Sequence, residues 1–571
     1  MKKSIPVFLL ALLLITGFSS AGLTASSRTE TPKAGGTFTM LEMYPATNPI
    51  SWDNLNWVWK HGYDTGFYIE HLMMGDLQKG PRGTKQYDFL ENSWIPIEFA
   101  RGELLEKWEV KKNPPQVVLT LRKGVMWQEK PGVMKAREFV ADDVVYSMTR
   151  LMKSPRAQKE YLEFIDRLEA VNKYTVIMHM KEWVRDWDYR MGWGFYDGVQ
   201  PPEMEKAPGG ANKWENACGT GPYMITDYKE GHSQTYTKNP NYWDSEMIDG
   251  KKYQLPFTDK IIMMLIKDEA TQIASFRTGK VDLMMAVNWK YFNDLIKTNP
   301  QMKWKKVLYG VNTSMAMRMD TKPFNDIRVR RAMNLAINKK EIIDNFFKGN
   351  AVLHAYPFPS NFKEIYTPVE KLPPSARELF TYNPEKAKKL LAEAGYPNGF
   401  SFKAQIASGN QAELDLAAMV VAYLARIGVK LELEPMDYAS WLSRMVRKTH
   451  SAGLFFNNGP GGPLSGLRKN FMTGQTWNPH MMSDPYVDNT WKALSGSPVL
   501  SDALVNREIK KLVTYCIDQA PAIILPQPYS YVMWWPWVKN YYGEKRVGCQ
   551  RSGPIWARVW IDQDLKKKMG F

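Results

Sequence analysis

Between residues 400 and 434 the spacing of apolar side chains changes twice. Phe400 to Ala407 reads as a strand, Ala412 to Ile427 as a helix, Gly428 as its stop, and Val429 to Glu434 as a strand again. A strand–helix–strand unit of this kind implies a parallel pair joined by a right-handed crossover. This one segment sets the class of the chain as α/β.

Its surroundings agree. From Asp259 onward strands alternate with helices. Ile261 to Ile266 is strand-like, Asp268 can cap a helix that runs to Thr278, Gly279 ends it, and Val281 to Met285 is a strand again. Asp326 can cap the next helix, where Val329, Ala332, Met333, Ala336 and Ile337 gather on one face. Asn338 followed by Glu341 resembles a capping box, and Gly349 stops that second helix. Asn383-Pro384 opens another helix with a cap and a first-turn proline, and Ala387, Leu390, Leu391 and Ala394 form its buried stripe up to Gly395. The first part of the chain reads differently. Gly35 to Leu41 opens a strand, Trp108–Val110 and Val117–Leu121 form a hairpin about Asn113-Pro114-Pro115, and Tyr174 to Met180 is a further strand.

At 571 residues the chain exceeds what one core organises, about 250–300 residues, so two large lobes are expected. Residues 1–21 read as a signal peptide. Lys2 and Lys3 precede the uncharged run Ile5–Ile15, and small residues follow at Ser19, Ser20 and Ala21. Cleavage is expected after Ala21 or near Ala25. The run falls short of the roughly 20 residues that a membrane span needs. No cysteine stands near the cleavage region, so lipid attachment there is not available. Residues 22–32 form a polar, flexible lead-in. Pro526, Pro528 and Pro536 break up the apolar stretch Pro521–Val538, which reads as extended crossing chain.

Cys218, Cys516 and Cys549 fit no zinc spacing. They allow at most one disulfide, of which Cys516 with Cys549 is one option and three unbridged thiols the other. The formal charge of +16 falls to +14 once Lys2 and Lys3 leave, and it forms no stripe suited to nucleic acid. No metal site or cofactor is expected. The chain lacks His-Glu-x-x-His and Gly-x-Ser-x-Gly, and its seven histidines are scattered. A secreted hydrolase is the rival from another class.

Several short segments, in one order, resemble the family 5 extracellular solute-binding proteins, the periplasmic dipeptide, oligopeptide and nickel receptors of ABC importers. They are Gly35–Phe38, Leu121–Val125 followed by Ala141–Ser147, Gly219–Tyr223, Lys238–Trp243, Phe276–Asp282, Pro323–Ala332, and Asn383–Pro397. The resemblance implies a two-lobed periplasmic-binding-protein fold (type II, cluster C) with an extra subdomain in the first lobe. Lobe I is then expected at 33–309 with a C-terminal return at 530–571, and lobe II at 310–529. It further implies a monomeric, soluble periplasmic receptor that closes on a small-molecule or short-peptide ligand and meets the permease subunits at the membrane.

In peptide-binding members, a lobe II loop of the form Trp-x-Ala-Asp-Tyr-x-Asp-Pro supplies an aspartate for the α-ammonium group. The matching stretch here, Leu454 to Pro463, holds no carboxylate. Neutral Asn457 and Asn458, with Gly459, suit hydroxyls, amides or a carboxylate. This shifts weight from peptides toward an oligosaccharide, an opine or an organic acid. Arg468 is a candidate anionic contact, as are Arg444 and Arg551. Tyr44, Asn48 and Trp52 in the early segment, with Trp57 and Trp59 beside them, and Trp477 after the glycine-rich loop, complete the expected ligand site.

Overall fold

A computed structural model describes residues 30–42, 51–90, 94–308, 312–459 and 461–571. The signal peptide, residues 22–29 of the lead-in, and the candidates Tyr44 and Asn48 lie outside the described residues.

Two mixed sheets organise the chain. The larger has eight strands. Thr37–Leu41 runs parallel to Lys260–Met264 on one side and to Leu283–Asn288 on the other. Ser233–Lys238 and Tyr223–Lys229 extend the sheet antiparallel at one edge. Gln527–Trp534 and Lys303–Leu308 extend it at the other. The second sheet has five strands in the order Lys430–Met436, Ser401–Ala407, Gly453–Asn458, Asn312–Met317, Ala522–Ile524. Ser401–Ala407 and Lys430–Met436 pair in parallel from Ser401↔Lys430 to Ala407↔Met436, as the alternation of periods demands. Helix Gln411–Ala425 is the crossover between them.

The chain leaves the first sheet after Leu308 and enters the second at Asn312. It returns between Ile524 and Gln527. The proline-rich stretch is thus extended chain passing between sheets. A separate four-stranded antiparallel sheet, built from Leu105–Lys112, Pro115–Leu121, Thr175–Met180 and Ile165–Asn172, forms a subdomain beside the first. Helix Ala141–Met152 packs on it through buried Val144, Met148 and Leu151.

The local signals act as their chemistry dictates. Asp326 accepts a bond from the Arg328 amide at 2.8 Å, and Asn383 one from the Lys386 amide at 2.9 Å, which satisfies otherwise orphaned donors of each first turn. Val329, Ala332, Met333, Ala336 and Ile337 are all buried. Gly428 follows its helix at φ +80°, a conformation that a side chain disfavours. One strand starts later than its apolar run. Val281 and Asp282 precede Leu283–Asn288 because the Asp282 carboxylate is engaged across the sheet. It accepts the Thr39 amide at 2.7 Å and the Trp537 indole at 2.7 Å.

Each lobe has its own apolar interior. Cys549 lies within the first, where its amide donates to the Trp193 carbonyl at 3.0 Å, whereas Cys516 lies within the second, one turn along helix Asp502–Asp518 from Leu512 and Val513. None of the three thiols is bridged, so the Cys516–Cys549 option fails: its partners belong to different interiors. No described helix is long and apolar enough to cross a membrane.

Candidate functional site

A cavity of about 830 Å³ lies between the two lobes. The first lobe contributes Trp59, Tyr161, Tyr189 and Trp289, and the second Tyr438, Trp441, Phe455 and Trp477, among others. The size falls within the range of pockets that hold small organic ligands. Aromatic faces in such number favour a ligand with flat or apolar parts.

Hydrogen bonds between the lobes rim the cavity. The Trp59 indole donates to the Tyr438 hydroxyl at 2.8 Å, and the Trp477 indole to Gln158 Oε1 at 3.3 Å. The Ser465 hydroxyl donates to Asp186 at 2.6 Å, and the Thr476 amide to Glu160 Oε1 at 3.3 Å. Further from the cavity, Trp94 stacks on Phe362 with centroids 5.2 Å apart. Arg185 reaches the Ser497 and Leu500 carbonyls at 3.1 and 2.7 Å. The lobes are closed on one another.

Asn457, Gly459, Arg468 and Trp477 all line the cavity, so these four sequence candidates are brought together. Asn457 is the penultimate residue of the strand Gly453–Asn458, opposite Thr313. Its Oδ1 is buried and has no hydrogen-bond partner. Asn458 is the last residue of that strand, opposite Asn312. The Gly459 carbonyl accepts a bond from the Lys469 ammonium.

Arg468 is nearly enclosed, at 6% exposure. Its guanidinium donates to Gln475 Oε1 at 2.6 Å and to the Glu160 carbonyl at 3.3 Å, and it faces the Tyr161 ring. Burial, with the like charge of Arg190, pushes it down to about 10. It already serves to join the lobes.

Trp52 does not line the cavity. It is 5% exposed and packs edge-on against Tyr228, 5.3 Å away, inside the first lobe. Trp57 is likewise buried, against Tyr196 at 4.3 Å. Of the early tryptophans, Trp59 lines the cavity. Arg551 is fully buried in a two-pronged pair with Glu103, both contacts at 2.7 Å, and is part of the first lobe's interior. Arg444 is exposed and outside the lining.

Sequence reasoning missed Glu413. Asn410 caps helix Gln411–Ala425 through its Oδ1, and its amide donates to Glu413 Oε1 at 2.9 Å. The Asn457 side chain also bonds to the Glu413 carboxyl, although the two lie 44 positions apart. Glu413 keeps partial access to the cavity, yet crowding there removes enough water to push its carboxyl up to about 7. The pattern Asn410-x-x-Glu413 is visible as a capping signal. Only the sheet order sets it against Asn457.

Residues 100–478 match the family model of the bacterial extracellular solute-binding proteins, family 5, middle region. Heme-binding protein A of Haemophilus influenzae is 28% identical over 396 residues, covering 64% of this chain and 68% of that one. The dipeptide-binding protein of Escherichia coli is 25% identical over 369 residues, covering 61% and 65%. The matched stretches therefore span about two thirds of these relatives. Among solved structures, the periplasmic binding protein DppA of Helicobacter pylori in complex with the peptide STSA superposes with a TM-score of 0.75. It is 20% identical, and the superposition covers 93% of this chain and 99% of that one. The two-lobed architecture and the match across most of the chain agree: the chain belongs to the family 5 bacterial extracellular solute-binding proteins.

Proposed function

We propose that this protein is the exported, periplasmic receptor of an ABC importer, closing its lobes over a peptide-like or otherwise polar, amphipathic small ligand and delivering it to the permease. The observation that carries this reading is a large cavity lined from both lobes and rimmed by lobe-to-lobe hydrogen bonds. Such closure makes the ligand the third component of the interface, so affinity follows the population of the closed state. Residues 33–309 with 530–571 act as one rigid half and 310–529 as the other. The names of the relatives, one a heme binder and one a dipeptide binder, indicate how widely this cavity type varies in cargo.

A second reading keeps the receptor and changes the cargo to an oligosaccharide, an opine or an organic acid. Its support is the pairing of neutral Asn457 with the aromatic face of Trp477 at one cavity.

The test is thermal unfolding of the refolded mature protein against peptides, amines, sugars and organic acids. A true ligand at 100 times its dissociation constant should add about 2.7 kcal/mol. Transport is tested by deleting the gene and measuring uptake of that ligand. Unchanged uptake would remove the importer role, and no stabilisation by any class would remove the receptor role.

A further inference from the structure

The first lobe is polarised along its strands. At one end of the larger sheet, Lys267, Asp268, Glu269, Trp289 and Tyr529 line the cavity. Lys260 opens the strand Lys260–Met264 that leads to this end, so it stands at the other. Helix Glu269–Arg277, nine residues and about 13 Å long, starts at the cavity and carries Arg277, and then Lys280, to the far end. Helix Trp289–Thr298 also starts at the cavity and brings Lys297 there. On the edge strand Leu308 faces Tyr529 whereas Lys303 faces Trp534, which sets Lys303 away from the cavity too. Helix Gln563–Lys568 lies across the same end. Its Lys566 reaches Asp282, just before the strand Leu283–Asn288, at 2.7 Å, and its Gln563 packs against Gly36, just before Thr37–Leu41. Lys567 and Lys568 extend from it into solvent.

The carboxylates at this end are already matched. Asp259 pairs with Lys238 at 2.7 Å, Asp562 and Asp564 with Lys33 at 3.1 and 2.8 Å, and Glu30 with Lys539 at 2.8 Å. Lys260, Arg277, Lys280, Lys297, Lys303, Lys567 and Lys568 are exposed and form no ion pair among the described residues. Beside Lys303 the Trp304 indole is 48% exposed, held edge-on by Phe292 at 4.9 Å. Helix polarity accounts for part of this pattern, because cations in a last turn are favoured by the carbonyl end of a helix. Lys260 and Lys303 sit on strands and gain nothing from it. Solubility does not call for an exposed indole.

We propose that this end of the first lobe is a docking surface for a bilayer that carries anionic headgroups. Each unpaired cation is drawn to such a surface, and a tryptophan side chain suits its interfacial layer. A hydrated polyanion would leave that indole in water. The surface lies at the opposite end of the lobe from the cavity, so a docked receptor keeps its cleft free. The docking depends on the exported-receptor reading only for a membrane to meet.

The test is co-sedimentation of the full mature protein, without ligand, with vesicles of phosphatidylcholine alone or with about 30% phosphatidylglycerol, at about 50 and 150 mM salt. Binding is expected to the anionic vesicles alone and should weaken as salt rises. One cation near such a surface is worth about fivefold in affinity, so Lys280→Gln, Lys567→Gln and Lys568→Gln combined should weaken binding about 100-fold. Lys363→Gln, Lys371→Gln and Lys430→Gln combined remove the same charge from the second lobe and should change it less than about twofold. Trp304→Ser should weaken vesicle binding about threefold and leave binding to dextran sulfate unchanged. All seven side chains are exposed, so thermal unfolding should not move. No binding to anionic vesicles, equal binding to both vesicle types, equal affinities in the two triple variants, or full affinity in Trp304→Ser overturns the docking surface. Binding to dextran sulfate and to neither vesicle overturns it too, in favour of a soluble polyanion. Each of these failures leaves the receptor reading standing, since that is decided by the ligand panel.

Discussion

Arg185 offers a way to perturb closure without touching the ligand. It follows the last strand of the subdomain and lies outside the cavity lining. Its guanidinium donates to the Ser497 carbonyl at 3.1 Å and the Leu500 carbonyl at 2.7 Å, both on the second lobe. It also pairs with Asp502, whose side chain is 79% exposed and so adds little. The two carbonyl bonds contribute about 1 kcal/mol each once partial solvent access is allowed for, or about 2 kcal/mol together. Those bonds cross the lobes, so an open molecule forgoes them. Arg185→Ala should therefore lower the closing equilibrium about 30-fold. If the ligand-free protein is mainly open, the dissociation constant of every ligand rises by that same factor, because the cavity itself is unaltered. Calorimetry gives the affinity, and small-angle scattering with and without saturating ligand gives the shape. Asp502→Ala is the control and should change affinity less than about twofold. An unchanged dissociation constant in Arg185→Ala, or a loss for one ligand and not another, would refute the argument.

Two further outcomes concern the scaffold. Arg551→Leu strands the Glu103 carboxylate in a fully buried position, and should cost about 3–5 kcal/mol in urea unfolding; a loss below about 1 kcal/mol would show that water reaches the site. In the second lobe, burial pushes His354 and His450 down to about 4 and His480 down to about 3. The unfolded chain therefore takes up protons first, and the stability present above about pH 6.5 is lost as pH falls toward 4 and 3. His480 holds the Tyr356 hydroxyl and the Pro521 carbonyl at 3.0 Å each, so His480→Gln should unfold more easily at pH 7 yet show a shallower acid limb. An acid limb as steep as wild type would assign the effect to other groups.

Much of the scaffold was legible because its signals are local. Asp326 and Asn383 announce helix starts by the hydrogen bonds they make two or three residues on, and Gly428 announces a stop by its backbone angle. The parallel pair was legible because period and crossover handedness leave few alternatives. The site was legible only in part. Asn457, Gly459, Arg468 and Trp477 follow one another closely in sequence, so finding one finds the rest. Trp52 and Trp59 are seven positions apart and chemically alike, and nothing local says which faces the cavity. Glu413 looked like a capping residue because, locally, it is one. Its second partner is brought to it by strand order, which no spacing encodes.

Strand order also carries a consequence for biosynthesis. Gln527–Trp534 lies between Leu283–Asn288 and Lys303–Leu308, so a segment made last sits inside a sheet begun at Thr37. Asp282 waits in the same way for Trp537 and Lys566. Until Gln527–Trp534 is made, the first sheet has a vacant slot, and its neighbouring strands cannot pair across it. The first lobe is therefore withheld from its final state until nearly the whole polypeptide has been delivered. A chain built in this order completes that sheet only once its last segments have been made.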